Sequence, residues 1–131
     1  MAVRSWKSLN LEALSLYRQG QFEQAVHAAE NALQLAENTV GPDHPDVASV
    51  MNNLALLYKT QGHYEQAEPL YERALAIWEK ALGPDHTHVA TVLNNLAALY
   101  RATNRDDEAE ALEQRAAGIA STSTASTSPI S

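Results

Sequence analysis

Residues 41–61 and 83–103 carry nearly the same text 42 positions apart. GPDHPDVASVMNNLALLYKTQ and GPDHTHVATVLNNLAALYRAT agree at 13 of 21 positions. A second motif recurs at the same interval, Gly20-Gln21-Phe22-Glu23-Gln24-Ala25 against Gly62-His63-Tyr64-Glu65-Gln66-Ala67. A degenerate third copy runs Asn104-Arg105-Asp106-Asp107-Glu108-Ala109. This period constrains the fold more than any other feature. One unit of this size cannot bury its own apolar face, so units stack and the core lies between neighbours. The copies divide the chain at about 1–40, 41–82 and 83–119.

Each unit reads as two helices. Val47, Val50, Met51, Leu54, Leu57 and Tyr58 form one apolar stripe at helical spacing, and Ala67, Leu70, Tyr71, Ala74, Leu75 and Trp78 form another. Gly62-His63 separates them, so the two stripes are expected to pack as an antiparallel pair. Gly41-Pro42 and Gly83-Pro84 end each second helix, with Asp43 and Asp85 expected as N-caps of the next. Pro69 is expected near the start of its helix, where a missing donor matters least. Repeat one is more polar at the corresponding positions, as a terminal repeat with one solvent-facing side should be. The last helix is expected over 106–119, fraying near Gly118. Residues 120–131, ending STSTASTSPIS, read as a Ser/Thr-rich disordered tail or linker.

Composition narrows the function classes. With no cysteine, disulfides, thiolate chemistry and Cys-based zinc sites are excluded. No apolar run approaches the ~20 residues of a membrane span, and Met1 opens no signal-like segment, so a cytoplasmic protein is expected. A net charge of −7 argues against nucleic acid or an anionic membrane as partner. The charge is also segregated. Runs 1–19, 45–61 and 87–103 hold five basic residues against two acidic, whereas runs 22–40, 64–82 and 106–119 hold twelve acidic against three basic. No Ser-His-Asp spacing, phosphate loop or paired-carboxylate pocket stands out, so no enzyme and no cofactor are expected. His86-x-His88 lacks an evident third ligand, which weighs against a metal.

The motif residues Leu54, Ala55, Tyr58, Gly62, Tyr64, Ala67, Tyr71 and Ala74 resemble the signature of the tetratricopeptide repeat. The succession NNLALLY, GHYEQAEPLYERAL, LGPDHPDVA, with its 42-residue period, is similar to the long repeats of kinesin light chains. The resemblance implies an all-α, right-handed superhelical array of three helix–turn–helix units, six helices in all, whose first helices line a concave groove. It also implies a non-enzymatic protein–protein interaction module that holds a peptide or protein segment in that groove. In such domains an asparagine nine residues before the turn glycine often bonds the peptide backbone. That position is Asn53 in repeat two and Asn95 in repeat three; in repeat one it is Leu11, with Asn10 beside it.

The residues themselves support a candidate site. Asn52-Asn53 and Asn94-Asn95 stand mid-helix, where asparagine is a middling helix former, and an amide carries both donor and acceptor. Two uses are open: locking a neighbouring helix's backbone, or gripping a ligand. Leu14, Leu56 and Ala98 would supply an apolar floor. Lys59 and Arg101, joined by Lys7 and Arg18, would give a basic rim suited to an acidic, apolar peptide. A monomer or weak homo-oligomer is expected. Two other readings remain, a scaffold self-associating through repeat stacking and the fragment of a larger signalling protein.

Overall fold

The computed structural model describes residues 5–127, with six helices and, among the described residues, no strand. They are α1 (Trp6–Arg18), α2 (Phe22–Val40), α3 (Pro45–Thr60), α4 (Tyr64–Leu82), α5 (Thr87–Ala102) and α6 (Asp106–Thr127). Helices pair as α1–α2, α3–α4 and α5–α6, and each second helix packs on the first helix of the next pair. This is the all-α array of three helix–turn–helix units that the period implied.

Each hairpin closes on one left-handed residue: Gly20 (φ 79°), Gly62 (φ 82°) and, in repeat three, Asn104 (φ 64°). The following amide reaches back five positions, Gln21 to Leu16, His63 to Tyr58 and Arg105 to Tyr100, at 2.9, 2.8 and 2.7 Å. These are Schellman closures. Asparagine visits the left-handed region more readily than other side chains, so the degenerate third copy keeps its turn without glycine.

The inter-repeat caps differ from expectation. Asp43 and Asp85 are not the N-caps. The helices begin at Pro45 and Thr87, so the caps fall on His44 and His86; the fixed φ of Pro45 suits that first position. The Asp46 amide donates to His44 Nδ1 at 3.0 Å, and the His88 amide donates to His86 Nδ1 at 3.0 Å. An aspartate at this position would offer the same amides a carboxylate and put negative charge at the helix's positive end. His86→Asp is therefore expected to add about 0.5–1 kcal/mol, read as a melting temperature a few degrees higher. An unchanged or lower value would mean that the His86–His88 ring contact, at 4.7 Å, outweighs the cap.

Two boundaries also move. Pro69 lies inside α4 rather than at its start, exposed, and leaves the Glu65 carbonyl without its helical donor. Helix α6 continues past 119 to Thr127 and contains Gly118, because Ser, Thr and Ala extend a helix that is already nucleated. The remainder of the expected tail, residues 128–131, lies outside the described residues.

Burial follows the period and weakens toward the N-terminus. Helices α3 and α5 bury Val47 to Leu57 and Val89 to Tyr100 along their stripes, whereas α1 buries only Ala13. Helix α2 approaches its neighbours on small residues, Ala25, Ala28, Ala29, Ala32 and Ala36. In α4 the places of Ala29 and Ala36 are taken by Tyr71 and Trp78, so the middle joint is filled by rings. Tyr71 is fully buried, and its hydroxyl has no hydrogen-bond partner among the described residues. Burial pushes its pKa above the ordinary tyrosine range. An unsatisfied buried hydroxyl costs about 1–3 kcal/mol, so Tyr71→Phe is expected to stabilise by about 1 kcal/mol in a denaturant melt. A loss of that size would instead reveal a partner for the hydroxyl.

Candidate peptide-binding groove

Among the first helices of the repeats, α3 touches both α1 and α5, while α2, α4 and α6 do not approach one another at backbone level. Long ion pairs span the wider gaps: Arg73 to Glu37 at 3.3 Å, and Arg115 to Glu79 at 2.6 Å, each pair 36 residues apart. The first-helix layer is therefore the tighter, inner wall.

Two cross-repeat bonds join three of the mid-helix asparagines and Asn10. Asn53 Nδ2 donates to Asn10 Oδ1 at 3.3 Å, and Asn95 Nδ2 donates to Asn52 Oδ1 at 3.0 Å; both bonds are partly buried. The partner of each amide is the side chain of the preceding repeat, not its backbone. One bond leaves each amide with unused valence. Asn53 and Asn95 keep a carbonyl oxygen and one N–H, and Asn10 and Asn52 keep their NH2 groups. The ladder ends at Leu11, 67% exposed, in place of a further donor, and at Asn94, which is exposed and joins no rung among the described residues.

Leu14, Leu56 and Ala98 are all partly exposed, 42 residues apart on successive first helices. Lys59 is partly buried and makes no ion pair among the described residues. The Lys7 ammonium lies 5.6 Å from the Trp6 ring centroid. Arg101 is differently placed from the expected free rim cation. Its Nε donates to Glu113 at 2.9 Å, its NH2 group to the other oxygen at 2.5 Å, and Asp106 lies 3.9 Å away. The hydrogen bond to Glu113 raises the guanidinium pKa, and the same bond holds the Glu113 carboxyl below the ordinary range. The charge of Arg101 is thus spent on α6.

The sequence reading missed other polar contacts. Tyr58 donates to Glu30 at 2.8 Å, and burial followed by that bond pushes the phenol's pKa up to about 12. Arg105 bonds Glu68 at 2.7 Å and Glu108 at 2.8 Å, and its guanidinium lies 3.9 Å from the Tyr100 ring centroid. Recurrence of Glu37/Glu79 and Arg73/Arg115 at the period was a readable signal for the outer ion pairs. Among the described residues no group of three His, Asp or Glu is placed to hold a metal ion, and no helix is long and apolar enough to cross a membrane.

Comparison with known proteins agrees with this architecture. The family model of the tetratricopeptide repeat matches residues 7–80 and 64–122. No curated protein matches the sequence significantly. Among solved structures, BtubC (BKLC) from P. vanneervenii is 31% identical with a TM-score of 0.83, covering 87% of this chain and 45% of that one. A Podosopora anserina kinesin light chain-like protein of nearly identical TPR-like repeats is 26% identical with a TM-score of 0.82, covering 94% of this chain and 58% of that one. The TPR domain of Arabidopsis FLU, 18% identical at a TM-score of 0.77, shares the fold over 89% of this chain and 95% of its own. The chain spans about half the length of the first two. Repeats of this family generally mediate protein–protein interaction and are not catalytic. From its period, its Schellman-closed hairpins and the family match over most of its length, this chain belongs to the tetratricopeptide repeat family, in the kinesin light chain-like form.

Proposed function

We propose that this protein is a non-enzymatic adaptor, expected in the cytoplasm, that holds an extended peptide segment along the inner wall of α1, α3 and α5. The observation that carries this reading is the asparagine ladder, whose rungs each leave an amide end unsatisfied on the same wall. An extended backbone offers alternating donors and acceptors, which such ends match. Leu14, Leu56 and Ala98 would bury apolar side chains of the segment, and Lys7, Arg18 and Lys59 would favour acidic ones. With Arg101 occupied by Glu113, that preference should be strongest toward repeats one and two.

Three repeats make a short wall, so a single segment is expected to bind near micromolar, about −8 kcal/mol. The test compares partners recovered by the intact chain with those recovered by an Asn53→Ala/Asn95→Ala double variant. Binding is expected to fall about 10–100-fold, while a melting curve shows the array still folded, since each partly buried rung contributes only about 1 kcal/mol. Equal recovery of the same partners would remove the groove assignment. A peptide array bound equally well in acidic and basic versions would remove the charge preference alone. A second reading, in which the array is one part of a larger signalling protein, has its own observation: the matched arrays are about twice as long. The length of the parent gene decides it.

A further inference from the structure

We propose that the cleft between α2 and α4 receives an arginine side chain of a partner protein, its guanidinium laid on the Tyr58 ring between Glu30 and Gln66. The cleft lies among the second helices, away from the inner wall, and does not depend on the peptide reading.

A template for this contact lies inside the chain. Between α4 and α6, the Arg105 guanidinium sits 3.9 Å from the Tyr100 ring centroid. It donates to Glu68 at 2.7 Å and to the two oxygens of Glu108 at 2.9 and 2.8 Å. A planar, forked cation suits both a ring face and a carboxylate. One repeat earlier, Tyr58 stands for Tyr100, Gln66 for Glu108 and His63 for Arg105. The ring and an acceptor beside it are kept, and the arginine is not. The His63 ring is nearly perpendicular to that of Tyr58, 6.4 Å between centroids, and its imidazole makes no hydrogen bond or ion pair among the described residues.

What stands there instead is an open cleft of about 370 Å³. Glu30 and Glu37 line it with Tyr58 and Gln66, and Leu33 and Leu70 give it an apolar floor. Each carboxylate already has one contact, and the two contacts differ in kind. Glu37 is paired with Arg73 at 3.3 Å, so its charge is balanced. Glu30 Oε2 accepts the Tyr58 hydroxyl at 2.8 Å, a neutral donor. Glu30 therefore keeps its charge without an ion pair among the described residues, and its second oxygen is open. Because it meets the ring at the hydroxyl end, a guanidinium over that ring comes within reach of its carboxylate. Val26 stands where Glu68 holds Arg105, so Glu30 supplies the balancing charge. Helix α2 itself carries three glutamates and neither lysine nor arginine. Charge complementarity asks for a cation, the template gives it the form of arginine, and the floor asks for a leucine-like neighbour.

The probe is the synthetic peptide acetyl-GLRLG-amide, titrated against the full chain labelled with nitrogen-15. It is expected to bind with a Kd of about 300 μM and to move the amide signals of Glu30, Tyr58 and Gln66. With glutamine for its arginine the peptide should bind at least about tenfold more weakly, and with lysine at least about threefold. Glu30→Gln keeps an acceptor for the Tyr58 hydroxyl but removes the charge, and should weaken the probe at least about fivefold. His63→Arg restores the arginine of repeat three, and should fill the cleft from within and weaken the probe to the same extent. Melting curves confirm that both variants fold. The Asn53→Ala/Asn95→Ala variant should bind the probe as the intact chain does, so failure of the groove and failure of this cleft are told apart. No binding at about 5 mM, equal binding of the arginine and glutamine peptides, or undiminished binding by either cleft variant would each overturn the proposal. So would shifts centred on Asn53 and Asn95. A reversible dimer in sedimentation that Glu30→Gln abolishes would also overturn it, because the arginine would then come from a second copy.

Discussion

Trp78→Ala is expected to cost about 3–5 kcal/mol, the largest loss from any single truncation in this chain. The Trp78 ring is 4% exposed, its Nε1 donates to the Pro45 carbonyl at 3.0 Å, and its face lies 4.9 Å from the His88 ring. One side chain therefore ties α4 to the start of α3 and to the start of α5. Its removal leaves a cavity at the joint between repeats two and three and strips a partly buried carbonyl of its donor. Because an array is held by nearest-neighbour joints, the variant should also lose cooperativity. The chain has two tryptophans, so Trp6 alone would report on repeat one by fluorescence while circular dichroism follows all six helices. In Trp78→Ala the two curves are expected to separate, with helix lost before the Trp6 signal changes. Trp78→Phe keeps most of the buried area and should lose only about 1 kcal/mol. Coincident curves and a loss below about 1 kcal/mol in the alanine variant would show that Trp78 does not hold the joint.

Leu93→Ala is expected to cost about 2–5 kcal/mol, against a total stability on the order of 5–15 kcal/mol for a domain of this kind. Leu93 is fully buried in α5, and its counterparts at the period are Met51, also fully buried, and Leu9, only partly buried. The same truncation at three equivalent positions should therefore give three different results. Met51→Ala should resemble Leu93→Ala, and Leu9→Ala should cost about 1 kcal/mol or less, because its side chain stays partly in water in the folded state and so gains less from folding. Denaturant melts of the three variants measure this gradient. Equal losses at all three would mean that repeat one packs as tightly as the others and that its outer face is covered in solution.

The architecture was legible because every repeat states it again. Helix positions, the Gly20 and Gly62 turns, and the more polar first repeat all follow from spacing along one strand of text, and the structure agrees. Where the reading failed, the outcome depended on a competitor close by. Asp43 and Asp85 are better N-caps in general, but α3 begins at Pro45 and α5 at Thr87, one residue later than an aspartate cap would need. In both the cap falls on a histidine whose Nδ1 accepts the amide two residues on. Arg101 was expected on the rim, yet it makes a bidentate bond to Glu113 on the next helix, and no pattern within α5 reports that.

The asparagines divide most clearly between the two sources. That Asn52 and Asn94, and likewise Asn53 and Asn95, stand at equivalent positions follows from the sequence, since the 42-residue period repeats them. That Asn53 bonds Asn10 and Asn95 bonds Asn52, leaving Leu11 and Asn94 as the open ends of a ladder, was decided by the tertiary structure alone. Hydrogen bonds form over about 3 Å, and the separation and rotation between neighbouring helices are set by the packing of both, not by the spacing within either.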